Sequence, residues 1–233
     1  MLKTISKNFS LICRKFNLDE WMLETEQMRF IELLCSKLCH DLISPIGAIS
    51  NGIEFLEQEN NHNNKDVFEL ISKSSNQASD KLAYYRIAFG TAGSGDLIEF
   101  NLILDLIQKL AKEKNIEIKW FGKKDYADLN IDKISGKLLL NLVLLAFDAL
   151  PRGGNVEVTM SGDEKIPNTM ISVTGDKCKL HEEVEAVLVN KMSANISNVR
   201  NIMAFFCKEL AKSSSQRIEF HAQSSNCFIF KTF

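Results

Sequence analysis

Hydrophobic positions in the first third of the chain recur at Ile31, Cys35, Leu38, Leu42, Ile46, Ile49, Ile53 and Leu56, in steps of four or three. That spacing keeps one stripe of a helix apolar, and it predicts a helix from about Glu24 to Glu57. A polar stretch rich in Asn follows, Gln58 to Asp66. A second stripe then runs through Val67, Ile71, Ser74, Ala78, Leu82, Tyr85 and Phe89, predicting a helix from about Asp66 to Phe89. The short connection makes the two helices an antiparallel hairpin. Two helices cannot enclose so long a stripe, so the pattern implies a dimeric four-helix bundle built from two such hairpins. The alternative is a second helix that packs only on the second domain.

The texture changes at Gly90-Thr-Ala-Gly-Ser-Gly95, a loop signal and the expected domain boundary. Beyond it, Leu97 to Lys114 reads as a helix, Ile116 to Trp120 alternates as a strand, and Lys133 to Leu150 is a strongly apolar helix stopped by Pro151 and Gly153-Gly154. Val156 to Met160 and Met170 to Thr174 alternate as strands. One or two helices fill His181 to Lys212, and Ile218 to Phe220 with Cys227 to Phe230 close as a hairpin. The expected class is α + α/β: a helical hairpin over residues 22–92, then an α/β sandwich over residues 96–233 with helices on one face of a mixed sheet.

Composition adds exclusions. A formal net charge of −2, with no Lys/Arg stripe, gives no footprint for nucleic acid. No apolar run approaches the ~18 residues that span a bilayer, and Met1 to Trp21 lacks the apolar core of a signal peptide, so a cytoplasmic location is expected. The six cysteines (Cys13, Cys35, Cys39, Cys178, Cys207, Cys227) are scattered. They read as mostly buried free thiols rather than a disulfide framework or a zinc site.

The candidate chemistry sits on the first helix. At about 100° per residue, His40 lies roughly 180° from Ile31, opposite the apolar stripe. Its neighbours on that face are Ser36, Ser44, Gly47 and Asn51, small and polar enough for a partner to approach. An outward histidine is either idle or reactive. Pro45 stands one turn later and removes the hydrogen bond that its N–H would give to the carbonyl of Asp41, a cost of about 3 kcal/mol unless the structure uses it. A neutral imidazole nitrogen can accept a phosphoryl group, and the adjacent Asp41 can orient the ring and hold its other nitrogen protonated. His62, His181 and His221 have no comparable setting and read as structural or exposed.

His40-Asp-Leu-Ile-Ser-Pro45 resembles the H-box of histidine kinases. The longer run to Phe55, the segment Tyr85-Arg-Ile-Ala-Phe-Gly90, and Leu138 to Ala146 followed by Leu150-Pro-Arg-Gly-Gly154 resemble the ChpT-type histidine phosphotransferases. The resemblance implies a dimerisation and phosphotransfer hairpin followed by a domain like the kinase ATPase domain. Kinase motifs are incomplete in that domain. Asn141 matches the first Asn of the N-box, but Leu145 stands at the second, metal-binding one. Gly175 replaces the adenine-binding Asp of the next motif, Lys177 and Lys179 replace its glycines, and Ser197 to Leu210 holds no Gly. The resemblance therefore implies a degenerate ATPase-like domain without ATP.

It also implies a phosphotransferase: His40 as acceptor with Asp41 as orienting acid/base, and Lys37, Ser44, Gly47, Asn51 and Arg86 as docking candidates. The expected partners are a second copy of the chain, the receiver domain of a hybrid histidine kinase, and response regulators. No cofactor is expected of this chain, the Mg²⁺ coming with the receiver. A non-catalytic dimeric adaptor that binds receivers is the competing reading.

Overall fold

The computed structural model describes residues 18–58, 64–91, 95–122, 129–190 and 198–233. His62, Cys13, the apolar patch Phe9 to Ile12 and the middle of the Gly90–Gly95 loop fall outside them. Two long helices come first, α1 (Leu18–Gln58) and α2 (Lys65–Ala88). Helix α1 starts earlier than its stripe predicts and passes through Pro45 without a break. The pairing of α1 with α2 is close at Gly52, where a Cβ would lie 2.6 Å from Ile71 Cγ1. Glycine is the residue that admits the second helix at that point.

The second half runs β1 (Leu97–Glu99), α3 (Phe100–Glu113), β2 (Ile116–Phe121), β3 (Asn130–Asp132), α4 (Lys133–Asp148), β4 (Gly154–Gly162), β5 (Pro167–Thr174), α5 (Glu182–Leu188), α6 (Ile202–Ser213), β6 (Ile218–Ser224) and β7 (Cys227–Thr232). A five-stranded mixed sheet has the order β2-β4-β5-β7-β6, with β2 and β4 parallel and the other pairs antiparallel. Alternate residues of its central strands (Val156, Val158, Ile171, Val173, Phe228, Phe230) point into one core with α3, α4 and α6. The architecture is α + α/β, as expected.

Two details depart from the sequence reading. Leu97 to Glu99 is not the start of the α3 helix; it pairs antiparallel with β3, a strand that the pattern did not suggest. Asp132 ends β3 and caps α4, its carboxylate accepting from the N–H groups of Ile134 and Ser135.

The hairpin is also docked on the α/β half. The buried Tyr84 hydroxyl of α2 donates to the Leu140 carbonyl at 2.6 Å. The Asn141 side chain donates to Ala88 O at the end of α2, and to Lys137 O on its own helix. Phe30 of α1, Phe206 of α6 and Phe89 beyond α2 pack ring to ring, with centroids 5.8 and 5.7 Å apart. So α2 packs on α4 as well as on α1, and not on the α/β half alone.

The α1 stripe divides in two. Leu38, Leu42, Ile49 and Leu56 are half-buried within the chain, whereas Ile31, Cys35, Ile46 and Ile53 are exposed. Cys35 and Cys39 are therefore exposed thiols, not buried ones. They lie on the flank of the stripe that neither α2 nor the α/β half covers. Cys178 and Cys207 are buried as expected.

Candidate functional site

His40 sits mid-way along α1 with its side chain 83% exposed, on the face opposite the apolar stripe. Ser44 and Asn51 are exposed on the same face one and three turns on, and the space above Gly47 is open. His40 Nδ1 faces Asp41 Oδ1 at 3.3 Å. An ionised carboxylate can only accept, so the proton between them belongs to Nδ1. In the neutral ring, Nε2 then carries the free lone pair and points to solvent.

Asp41 is held more firmly than its neighbour. Its Oδ2 accepts the Tyr85 hydroxyl at 2.7 Å and lies 2.9 Å from Lys37 Nζ. Burial works to raise its pKa. The Lys37 charge, the Tyr85 hydrogen bond and those from Lys37 and His40 together outweigh burial, so the carboxyl falls below its ordinary value. The same contact, added to burial, pushes the Tyr85 phenol far up, so it stays a donor.

Lys37 reaches a second carboxylate, Asp148 Oδ2 at 3.3 Å, at the last residue of α4. Burial alone would lower its pKa, but Asp148 and Asp41 reverse that and the ammonium is kept charged. Asp148 is shared with Lys114 at 3.2 Å.

The Asp41 carbonyl has lost the N–H that residue 45 would supply, because residue 45 is proline. Lys81 Nζ of α2 points at that carbonyl at 3.4 Å and pairs with Glu113 of α3 at 3.0 Å. The cost of Pro45 is thus partly offset by a lysine from the second helix.

His40, Asp41, Lys37, Asp148 and Lys114 line a cleft of about 600 Å³ between α1 and the α/β half. Its far wall carries Lys179, His181 and Arg200, from the segments flanking α5. His181 precedes α5 as an exposed residue, and His221 is exposed beside Glu219. Arg86 is exposed but lines a different groove, with Gly90, Thr91 and Leu97. The fold therefore gathers His40, Asp41 and Lys37, sets Ser44, Gly47 and Asn51 beside them, and leaves Arg86 apart. Sequence reasoning missed Tyr85 and Asp148. Tyr85 was legible as a stripe position and as the start of a family-like segment, with no role attached, and Asp148 only as a polar end to an apolar helix.

Among the described residues no three His, Cys, Asp or Glu side chains gather into a metal-holding group. No described helix is long and apolar enough to cross a membrane. Leu145 is buried in the α4 core, and Asn141 is buried with its amide nitrogen committed to two backbone carbonyls.

Comparison with known proteins bears directly on this geometry. Residues 100–226 match the family model described as the histidine phosphotransferase C-terminal domain. The protein phosphotransferase ChpT of Brucella abortus (strain 2308) is 32% identical over 195 residues, which is 83% of this chain and 90% of the relative. A solved structure of a bacterial phosphotransferase superposes with a TM-score of 0.77 at 30% identity, covering 88% of this chain and 96% of the other.

Proposed function

Because this chain belongs to the histidine phosphotransferase family, we propose that His40 takes a phosphoryl group from the phospho-aspartate of a receiver domain and passes it to a response regulator. The observation that carries the reading is an exposed imidazole whose Nδ1 is turned to a carboxylate held ionised by Lys37 and Tyr85.

In the first step the Nε2 lone pair attacks phosphorus. The P–N bond forms as the P–O bond to the receiver's aspartate breaks, and that carboxylate leaves with the electron pair. The proton stays on Nδ1, which donates to the Asp41 carboxylate, and that carboxylate stabilises the positive charge growing on the ring. In the second step a response-regulator carboxylate attacks, the P–O bond forms, and the P–N electron pair returns to Nε2. Charge neutralisation at the phosphoryl oxygens would come from Mg²⁺ bound by the receiver.

ATP is not the phosphoryl source in this reading. Support comes from the apolar Leu145 at the metal-ligand position and from Asn141, whose amide is spent on tying α4 to α2. We assign the docking surface to Ser44, Gly47 and Asn51 beside the histidine, and the exposed apolar flank of α1 to a second copy of the chain.

Labelled receiver phosphate tests the reading. Label should reach the wild-type protein from a phosphorylated receiver and not from ATP alone, and His40→Ala should take up none. Label from ATP would instead mark an ATP-dependent kinase. Receiver binding without label would leave the adaptor.

A further inference from the structure

The carboxylate beside His40 is not positioned by its own helix alone. Its two oxygens are divided between tasks: Oδ2 is engaged by Tyr85 and Lys37, and Oδ1 faces His40 Nδ1. A carboxylate gripped at one oxygen cannot rotate freely, so the grip on Oδ2 determines where Oδ1 points.

Lys37 and Asp41 are four residues apart, with the cation on the N-terminal side, which is the weaker order for such a pair on a helix. Lys37 is nonetheless mostly buried, with 16% of its side chain exposed. What holds it from the other side is Asp148. A carboxylate at the C-terminal end of a helix sits against the negative end of the helix dipole and is disfavoured there. Two ammonium groups, Lys37 and Lys114, offset that. The chain of contacts runs His40, Asp41, Lys37, Asp148, Lys114, and so crosses from α1 to α4 and to the residue after α3.

We propose that Tyr85 and Asp148 are positioning residues for His40: Tyr85 fixes Asp41 from the second helix, and Asp148 fixes it from the α/β half through Lys37. This gives the α/β half a task at the phosphoryl-accepting atom besides any part in docking. The effect on transfer rests on the phosphotransfer reading, whereas the effect on the imidazole does not.

The test uses the full chain in three forms: wild type, Tyr85→Phe and Asp148→Asn. Both substitutions nearly preserve shape, and urea unfolding midpoints close to wild type show that each is folded. Nitrogen NMR of the His40 ring, taken at alkaline pH where the imidazole is uncharged, reads the tautomer ratio. In either variant the form with its proton on Nδ1 should lose about tenfold relative to the other, the lower end of the losses that follow when a partner orienting a metal-bound histidine is removed. With a saturating phosphorylated receiver, the maximal transfer rate should fall by a similar factor while the half-saturating receiver concentration stays unchanged. Asp148→Glu should recover most of both. An unchanged tautomer ratio in the folded variants overturns the proposal, as does a change confined to the half-saturating concentration, which would mean docking. A shifted tautomer ratio in a protein whose wild type accepts no phosphoryl group would sink the phosphotransfer reading and leave the positioning intact.

Discussion

In the proposed transfer the reactive nitrogen and the supporting carboxylate belong to separate residues of opposite exposure, His40 and Asp41, and that division sets what each substitution should do. Asp41→Asn keeps the shape and removes the charge that offsets the growing imidazolium. Transfer from a saturating receiver should fall about a hundredfold, with receiver affinity unchanged, as measured by single-turnover label transfer. The same residue makes a pH-dependent contribution to stability. Its folded-state pKa lies below the ordinary 3.8, so its contribution is present above that value and is lost as pH falls through the depressed folded value. The unfolding midpoint of wild type should exceed that of Asp41→Asn at neutral pH, and the gap should close on acidification below 3.8; a gap that widened there would contradict the contacts at Oδ2. His40 and Asp41 were legible because the apolar stripe fixes the opposite face of the helix. Tyr85 and Asp148 were not, because their roles depend on which helix lies across from α1 and on where α4 ends in space.

At the scale of elements, periodic and alternating patterns found the long helices and all five strands of the mixed sheet, and the two three-residue strands escaped them. Both hairpin helices and α4 stand where their stripes put them, to within a few residues at most ends. β1 and β3 were missed because three residues cannot display alternation, and Leu97-Ile98 merges with the apolar start of α3. The division of the α1 stripe into a covered and a bare half was hidden for a related reason: periodicity finds an apolar face, but the neighbouring helix decides which edge of it is covered. Gly52 marks the tightest approach between α1 and α2. Gly52→Val would drive a branched side chain into Ile71 and should cost about 2 kcal/mol in urea unfolding, more than the gain in helix propensity returns. A stabilised variant would mean that the helices are not this close.

For the whole molecule, the hairpin and the α/β half form one continuous core, tied by Tyr84, Asn141 and the Phe30, Phe206 and Phe89 rings. Among the described residues the flank of α1 is left bare, with Ile43 at 70% and Ile46 at 51% exposure, and Leu82 of α2 is exposed too. An exposed apolar band along a helical hairpin suits a bundle made with a second hairpin. The paired substitution Ile46→Glu with Ile53→Glu should convert a dimer into a folded monomer, read by light scattering on size-exclusion chromatography. A wild-type monomer at tens of micromolar would refute the dimer.

Whether His40 relays a phosphoryl group is decided by assembling a complete relay. A receiver carrying labelled phosphate, this protein and an unlabelled response regulator are combined without ATP. Label is predicted to pass through an acid-labile, base-stable adduct on this chain and to accumulate on the regulator, and His40→Ala should abolish both. Label reaching the regulator at the wild-type rate through His40→Ala would contradict the account.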